Sequence, residues 1–289
     1  MPGFDAIALI GRYNGSKGAE SLRTLGNYMK RSGRDVWVEK ETATATGVKE
    51  FEILDYAGLG EKVNLAVVLG GDGSMLNAAR NLARYKVPLI GVNQGRLGFM
   101  TDISAGDMLS VMGRVLEGQY SVEDRTLLRA EVQRAGATTF STIALNDLVV
   151  NKGAVGRLIE FLVHINDEFV YDLRADGLIV TTPTGSTAYA LSSNGPILQP
   201  TVPGVALVPI CPHTLSNRPI AVSDSSRIEI TLKSAVDALL HYDGQPQVEL
   251  HEGDKVIVTR ADHPIRFVHP PGYSYFAMLR EKLHWSEMY

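Results

Sequence analysis

Four residues, Gly70-Gly71-Asp72-Gly73, stand between an apolar run at 65–69 (LAVVL) and a segment whose apolar residues recur at helical spacing. Glycines at such a junction let backbone N–H groups approach a ligand closely. The helix N-terminus that follows adds positive partial charge suited to phosphate. The Asp72 carboxylate is then expected at the C-terminal edge of a parallel strand, where open α/β sheets take their ligands. The same residues also suit a tight turn with Asp72 capping the helix. A second stretch, 176–192 (DGLIVTTPTGSTAYALS), sets an Asp-Gly turn before a β-branched strand. A loop with Thr181, Thr182, Thr184, Ser186 and Thr187 follows. Small hydroxyls beside Gly185 can hydrogen-bond phosphate or ribose without crowding it, and Tyr189 can stack on a base. A polar hairpin or a helix-capping loop has the same composition. A third is Asn146-Asp147 after the apolar IAL at 143–145. An adjacent amide and carboxylate can grip two sugar hydroxyls or an adenine edge, or simply open the next strand as an Asx-turn. HTLSNRP at 213–219 and Asp243-Gly244-Gln245 are weaker, since Asp-Gly is first of all a hairpin turn.

Two common nucleotide fingerprints are absent. The nearest approach to a P-loop, 11–18 (GRYNGSKG), has the wrong spacing. A dinucleotide GxGxxG would start at Gly71 and Gly73, but Leu76 holds its third position. The histidines are scattered, and no His/Asp/Glu set has metal-ligand spacing, so no residue is assigned to a metal.

The elements that must position these residues change character along the chain. Phe4 to Ile10 reads as a buried strand, followed by a loop with Gly11, Asn14, Gly15 and Gly18. A helix carrying Leu22, Leu25 and Met29 ends near Gly33, and Val36 to Val38 suggests the next strand. The threonine-rich stretch 41–47 (ETATATG) reads as a loop. The run at 65–69 is continuous and apolar, as in a strand covered on both faces. Residues 70–73 read as a turn, 74–85 as a helix with Leu76, Ala79 and Leu82 on one side, and Pro88 to Val92 as a fourth strand. Alternating β and α elements indicate an open parallel sheet. After about residue 120 alternating segments take over: Leu127 to Val132, Leu158 to Ile165, Ile228 to Leu232, then Val256, Val258 and Ile265. Turn signals at Asp176-Gly177, Asp243-Gly244 and 252–254 separate them. The expectation is an α/β domain over 1–120, a β-rich domain over 121–269, and an amphipathic tail over 270–289 that packs back on the body of the protein.

The composition is that of a globular chain of 289 residues, 45% hydrophobic and 21% charged. The net charge of −4 argues against a broad nucleic-acid-binding face. The single cysteine, Cys211, cannot form an intrachain disulfide and suits a reducing, cytoplasmic setting. No apolar run approaches the length of a membrane span. Glycine, at 28 residues, is in excess, and excess glycine marks turns and close backbone approaches.

Taken together, GGDG at 70–73, NQGRLGF at 93–99, Asn146-Asp147, the block at 176–197 (DGLIVTTPTGSTAYALSSNGPI), HTLSNRP at 213–219 and DGQ at 243–245 closely resemble the NAD kinase family in order and separation. GGDG alone also looks like the phosphate loop of diacylglycerol kinases and 6-phosphofructokinases, whereas the TPTGSTAYALS block is far more specific. The resemblance implies a Rossmann-like parallel α/β domain followed by a β-sandwich-like domain, with the tail returning to the first. It implies transfer of the ATP γ-phosphoryl group to the 2′-hydroxyl of the adenosine ribose of NAD, giving NADP. It also implies a divalent cation, usually Mg²⁺, and a homodimer or homotetramer, while the charge and hydropathy of the chain speak for no nucleic-acid and no membrane partner. By the same resemblance, Asp72 is the general base, and Gly70, Gly71 and Gly73 cradle the phosphates. Asn146 and Asp147 hold the adenosine of NAD, where the family often has Asn-Glu. Asp176 lies near the nicotinamide end. Thr187, Ala188, Tyr189, Ala190, Leu191 and Ser192 fall on the loop wrapping the substrate, and Arg157, Arg174 and Gln245 on further substrate-contacting positions. Arg174, just before the Asp-Gly, resembles the NAD-preferring bacterial members. The loop 93–99 is assigned no role.

A lipid kinase sharing GGDG would need an exposed apolar or basic membrane-facing stretch, and none is evident. A sugar kinase would leave TPTGSTAYALS unexplained. A catalytically silent NADP-binding sensor is a third alternative, against which the intact Asp72 argues.

Overall fold

In the computed structural model the described residues are 3–11, 16–95, 98–153, 157–214, 216–235 and 237–285. The chain forms two compact units, one of residues 1–124 and 265–289, the other of residues 125–264.

The first unit begins with β1 (Ala6–Gly11), α1 (Ser16–Arg31), β2 (Asp35–Glu39), α2 (Lys40–Thr46), β3 (Glu52–Leu54), α3 (Tyr56–Lys62), β4 (Leu65–Gly70) and α4 (Asp72–Leu82). It continues with β5 (Leu89–Asn93), β6 (Ile103–Ser104), α5 (Met108–Leu116) and β7 (Ser121–Arg125). Every residue of β4 is buried, which explains why its sequence is apolar without alternation. Helices cover the sheet. Leu22, Leu25 and Met29 of α1 are fully buried with Leu9, Val38 and Val67 in one core.

The second unit holds β8 (Leu128–Arg134), β9 (Ala137–Ala144), β10 (Asp147–Lys152), β11 (Ile159–Ile165), β12 (Glu168–Ala175), β13 (Gly177–Thr181) and the short α6 (Tyr189–Ser192). Then come β14 (Gly204–Ile210), β15 (Ile220–Ser223), β16 (Ile228–Ser234), β17 (Ala238–Tyr242), β18 (Gln245–Leu250) and β19 (Lys255–Arg260). They make two antiparallel sheets, ordered β15-β14-β13-β10-β17-β18 and β12-β11-β16-β19-β8-β9. Strands such as β8 and β11 alternate buried and partly exposed residues, sending one face inward. Phe161 and Ile230 from one sheet and Leu148 and Leu178 from the other share a single core, so the unit is a sandwich.

The chain then returns to the first unit through β20 (Ile265–His269) and α7 (Tyr275–Leu283). That sheet runs β3-β2-β1-β4-β5-β20-β7, with β6 also on β5. Ile265, which the sequence pattern groups with the second domain, therefore begins a strand of the first sheet. Its neighbours Phe267 and Val268 are buried there, so the apolar pattern is the same in either sheet.

Two local expectations are corrected. Residues 41–46 are helix, not loop: Glu39 accepts N–H bonds from Glu41 and Thr42 at the N-terminus, and Gly47 N–H closes onto Ala43 O. A side-chain cap outweighs the modest helix preference of threonine. The helix after GGDG starts at Asp72 rather than 74, because Gly71 takes the N-cap position. Asp176-Gly177 leads into β13, as expected. It carries the chain from β12 in one sheet to β13 in the other. Of the glycine-rich loop expected at 11–18, Asn14 and Gly15 lie outside the described residues, and Gly18 is within α1.

Candidate active site

In the first unit, strand order reverses beside β1: β2 and β3 lie on one side of it, β4 and β5 on the other, all parallel. The crevice at the carboxyl ends of β1 and β4 is the topological switch point where such sheets bind ligands. GGDG occupies the carboxyl end of β4. Gly71 and Gly73 are exposed, and a Cβ on either would meet nothing within 4 Å, so their backbone faces open space at the head of α4.

Asp72 is half-buried and does not cap its own helix. Its carboxylate turns instead to the loop after β5. Oδ2 accepts the N–H of Phe99 at 2.9 Å, and Oδ1 accepts the N–H of Met100 at 3.0 Å. A Cβ at Gly98 would overlap Oδ1, so only glycine lets the loop come this close. Asn93 holds the loop's base: its Oδ1 accepts Gly95 N–H at 2.5 Å, and its Nδ2 donates to Thr101 Oγ1 at 2.9 Å. The stretch NQGRLGF thus acquires a role that its side chains do not advertise, with Arg96 and Leu97 outside the described residues.

In the second unit, three motifs far apart in sequence meet at one end of one sheet. Asp147 opens β10, directly opposite Thr181 at the end of β13, and Leu148 pairs with Tyr242 beside the β17–β18 turn. That turn carries Asp243 and Gly244, both with positive φ, as a two-residue hairpin loop requires. Asp243 is buried. Its Oδ2 accepts Leu145 N–H at 3.0 Å and its Oδ1 accepts Asn146 N–H at 2.7 Å. The Asn146 carbonyl in turn accepts Thr182 N–H at 2.9 Å and the Thr181 hydroxyl at 3.2 Å. A Cβ on Gly185 would collide with that carbonyl.

The side chains left over are polar. Asn146 Oδ1 is buried without a hydrogen-bond partner. Asp147 is buried, and its carboxyl is pushed up to about 7, first by loss of water and then by the neighbouring Asp243. The hydroxyls expected to hold phosphate or ribose behave differently. Thr182 donates to Leu145 O at 2.5 Å and accepts Gly185 N–H at 3.1 Å. Ser186 donates to Pro183 O at 2.6 Å and accepts Leu198 N–H at 3.0 Å. Thr184 accepts from Arg125 at 3.3 Å. They brace the loop, which leaves Thr187, Ala188, Tyr189 and Ser192 as its more accessible members. Ala190 is fully buried against Ile179 and Val208, and Leu191 is half-buried. Gln245 is half-buried at the start of β18, paired with Tyr242.

Asp176, Arg174 and Arg157 lie elsewhere. Asp176 precedes β13, at the far end from Thr181, and is bonded to Lys152 Nζ at 2.7 Å. Arg174 faces Glu160 at 3.5 Å, with both side chains well exposed. Arg157 is exposed. A five-residue strand spans about 17 Å. The single chain therefore presents two polar sets at opposite ends of the β10–β13 pair.

Residues 22–120 match the family model described as the ATP-NAD kinase N-terminal domain, and residues 145–270 match that of the ATP-NAD kinase C-terminal domain. The chain belongs to the ATP-NAD kinase family. An NAD kinase of Aromatoleum aromaticum is 54% identical over 284 residues, covering 98% of this chain and 95% of the relative. One of an Azoarcus species is 52% identical, covering 98% and 97%. Among solved structures, yeast NADH kinase complexed with NADH is 25% identical with a TM-score of 0.91, covering all of this chain and 90% of that one. An NAD kinase from Archaeoglobus fulgidus in complex with ATP, at 24% identity and a TM-score of 0.75, shares the fold.

Membership in the ATP-NAD kinase family removes the lipid- and sugar-kinase readings that GGDG alone allowed. Two features of the polar sets described above escaped the sequence. Asp243 reads there as a turn residue, and its buried carboxylate is visible only once β17 is placed beside β10. The amides of Phe99 and Met100 carry no residue identity at all; the glycine at 98 was the available signal. Among the described residues no group of three or more His, Cys, Asp or Glu side chains is placed to hold a metal ion. No helix among them is long and apolar enough to cross a membrane.

Proposed function

We propose that Asp72 is the general base of an ATP-dependent NAD kinase that phosphorylates the 2′-hydroxyl of the adenosine ribose. The observation that carries this reading is the disposition of the carboxylate: it ignores its own helix and is oriented by two backbone N–H groups. An ionised carboxylate offers about four lone-pair sites, so two remain for a substrate hydroxyl. A ribose hydroxyl is a poor nucleophile at neutral pH, and a base within hydrogen-bond reach is worth about 10²–10⁴-fold.

Phosphoryl transfer depends mainly on positioning and on neutralising charge. The open backbone of Gly71 and Gly73 at the head of α4, with Gly70 before it, suits the triphosphate. Mg²⁺ bound with ATP would offset phosphate charge, and no residue of this chain is assigned to it. Asn146 and Asp147 bind the adenosine of NAD; the partnerless Asn146 Oδ1 supports this. Thr187, Ala188, Tyr189 and Ser192 line the substrate loop, with Ala190 and Leu191 contributing through the backbone, and Gln245, paired with Tyr242 at the start of β18, makes a further substrate contact. Asp176, Arg174 and Arg157 serve the nicotinamide end. The cytoplasmic setting rests on the lone Cys211, and a homodimeric or homotetrameric state on the family resemblance.

Incubation with ATP, Mg²⁺ and NAD, followed by detection of NADP with an NADP-specific dehydrogenase, tests the activity. Asp72→Asn is expected to lose at least about 10²-fold in kcat. Near wild-type turnover in that variant would remove Asp72 from the role of base.

A further inference from the structure

We propose that Asp102 and His269 are positioning residues for the Asp72 carboxylate, acting through the backbone segment 98–102. The inference rests on Asp72 being the general base.

The flank of β5 opposite β4 is shared by two strands. β20 pairs near its start, Phe267 against Leu89, and β6 pairs near its end, Val92 against Ile103. Between these registers lies Gly91, where a Cβ would overlap Met100 O and the Thr101 backbone. The segment 98–102 is therefore pressed against β5 at the seam. Asp102 stands immediately before β6, and His269 ends β20.

Each end of the segment is anchored by a buried side chain. At one end, the wholly buried Thr101 hydroxyl accepts Gly98 N–H at 3.1 Å and Asn93 Nδ2 at 2.9 Å. At the other, His269 Nδ1 donates to Asp102 Oδ2 at 2.5 Å. The His269 ring is 3% exposed and stacks on Tyr273 at 3.8 Å with 8° between the planes, so it has no freedom to follow a moving partner. Between the anchors lie the two N–H groups that fix Asp72.

A buried polar pair of this kind is a weak source of stability, because an apolar pair of the same volume would fill the seam without a desolvation cost. What an apolar pair could not supply is a defined position for Asp102, and with it the aim of the amides at 99 and 100. A general base displaced by about 1 Å can lose ~10²-fold in rate. Both side chains are almost wholly buried, at 3% and 10% exposure, and the pair sets where the base points.

The test is a pair of near-isosteric variants. The Nδ2 of His269→Asn overlays the donor that Asp102 uses, whereas His269→Gln places its amide at the other ring nitrogen's position. With NAD and ATP saturating, His269→Asn is expected to keep kcat within about threefold and His269→Gln to lose about 10- to 100-fold, with both KM values changed less than twofold. Asp102→Ala is expected to follow His269→Gln. Should Asp102→Ala fail to fold, the two histidine variants still decide. Equal kcat in His269→Asn and His269→Gln, or a loss confined to KM, overturns the proposal. Asp72→Asn is assayed alongside. Full turnover there sinks the general-base reading, whereas a slow Asp72→Asn beside a fast His269→Gln sinks this inference alone.

Discussion

Asp243 Oδ1 receives the backbone N–H of Asn146 at 2.7 Å across 97 residues of sequence. One buried carboxylate thus fixes the strand entry from which Asn146 and Asp147 project. Asp243→Ala leaves the N–H groups of Leu145 and Asn146 without their acceptor, at a cost of about 1–3 kcal/mol for a buried unsatisfied group. The expected outcome is a lower melting temperature together with a raised KM for NAD. KM for ATP is expected to stay unchanged.

Asp147 makes folding stability depend on pH in an unusual direction. Its carboxyl titrates near 7 in the folded protein, against an ordinary 3.8. Between those values the folded state keeps a proton that the unfolded chain has lost, so stability falls as pH rises from about 4 to about 7. Above 7 the buried charge exerts its full cost. Asp147→Asn removes the titration, and thermal melts should show it raising the melting temperature more at pH 8 than at pH 5. An equal gain at both values would mean that Asp147 is ionised throughout.

Gly98→Ala tests the closeness of the loop to the Asp72 carboxylate. The added Cβ overlaps Asp72 Oδ1, so either the loop or the carboxylate must shift. A drop in kcat of at least about tenfold is expected in a folded protein, as measured by steady-state kinetics and circular dichroism.

Arg174 is exposed and only loosely paired with Glu160, so replacing it should leave the fold intact. Arg174→Gly is expected to raise turnover of NADH relative to NAD, measured as the ratio of the two kcat/KM values. An unchanged ratio would leave nicotinamide selectivity to other residues.

Legibility in the sequence followed the physics of each contact. The sheet of the first unit was readable because β4 is buried on both faces and spells this out as LAVVLG. The β-sandwich was readable from strands such as β11, whose alternate residues are buried. The TPTGSTAYALS block was readable in part because the Asn146 carbonyl leaves no room for a side chain at Gly185, whereas Gly71 and Gly73 of GGDG face open space. Contacts made by the main chain left no such imprint. The hold on Asp72 is by amides that any residue supplies, and only Gly98 hints at it. The threonine stretch after Glu39 misled for the opposite reason: its local preference is weak, and a single cap decided it.

The return of the chain through β20 has a consequence for the order in which the protein is built. Residues 125–264 interrupt the first unit, and their strands pair only with one another. As the ribosome emits the chain, the inserted sandwich can finish folding while the earlier sheet still lacks the strand between β5 and β7. His269 arrives last of the residues that frame Asp72. A nascent chain that has not yet added β20 therefore carries the glycines and the aspartate of GGDG without the completed frame.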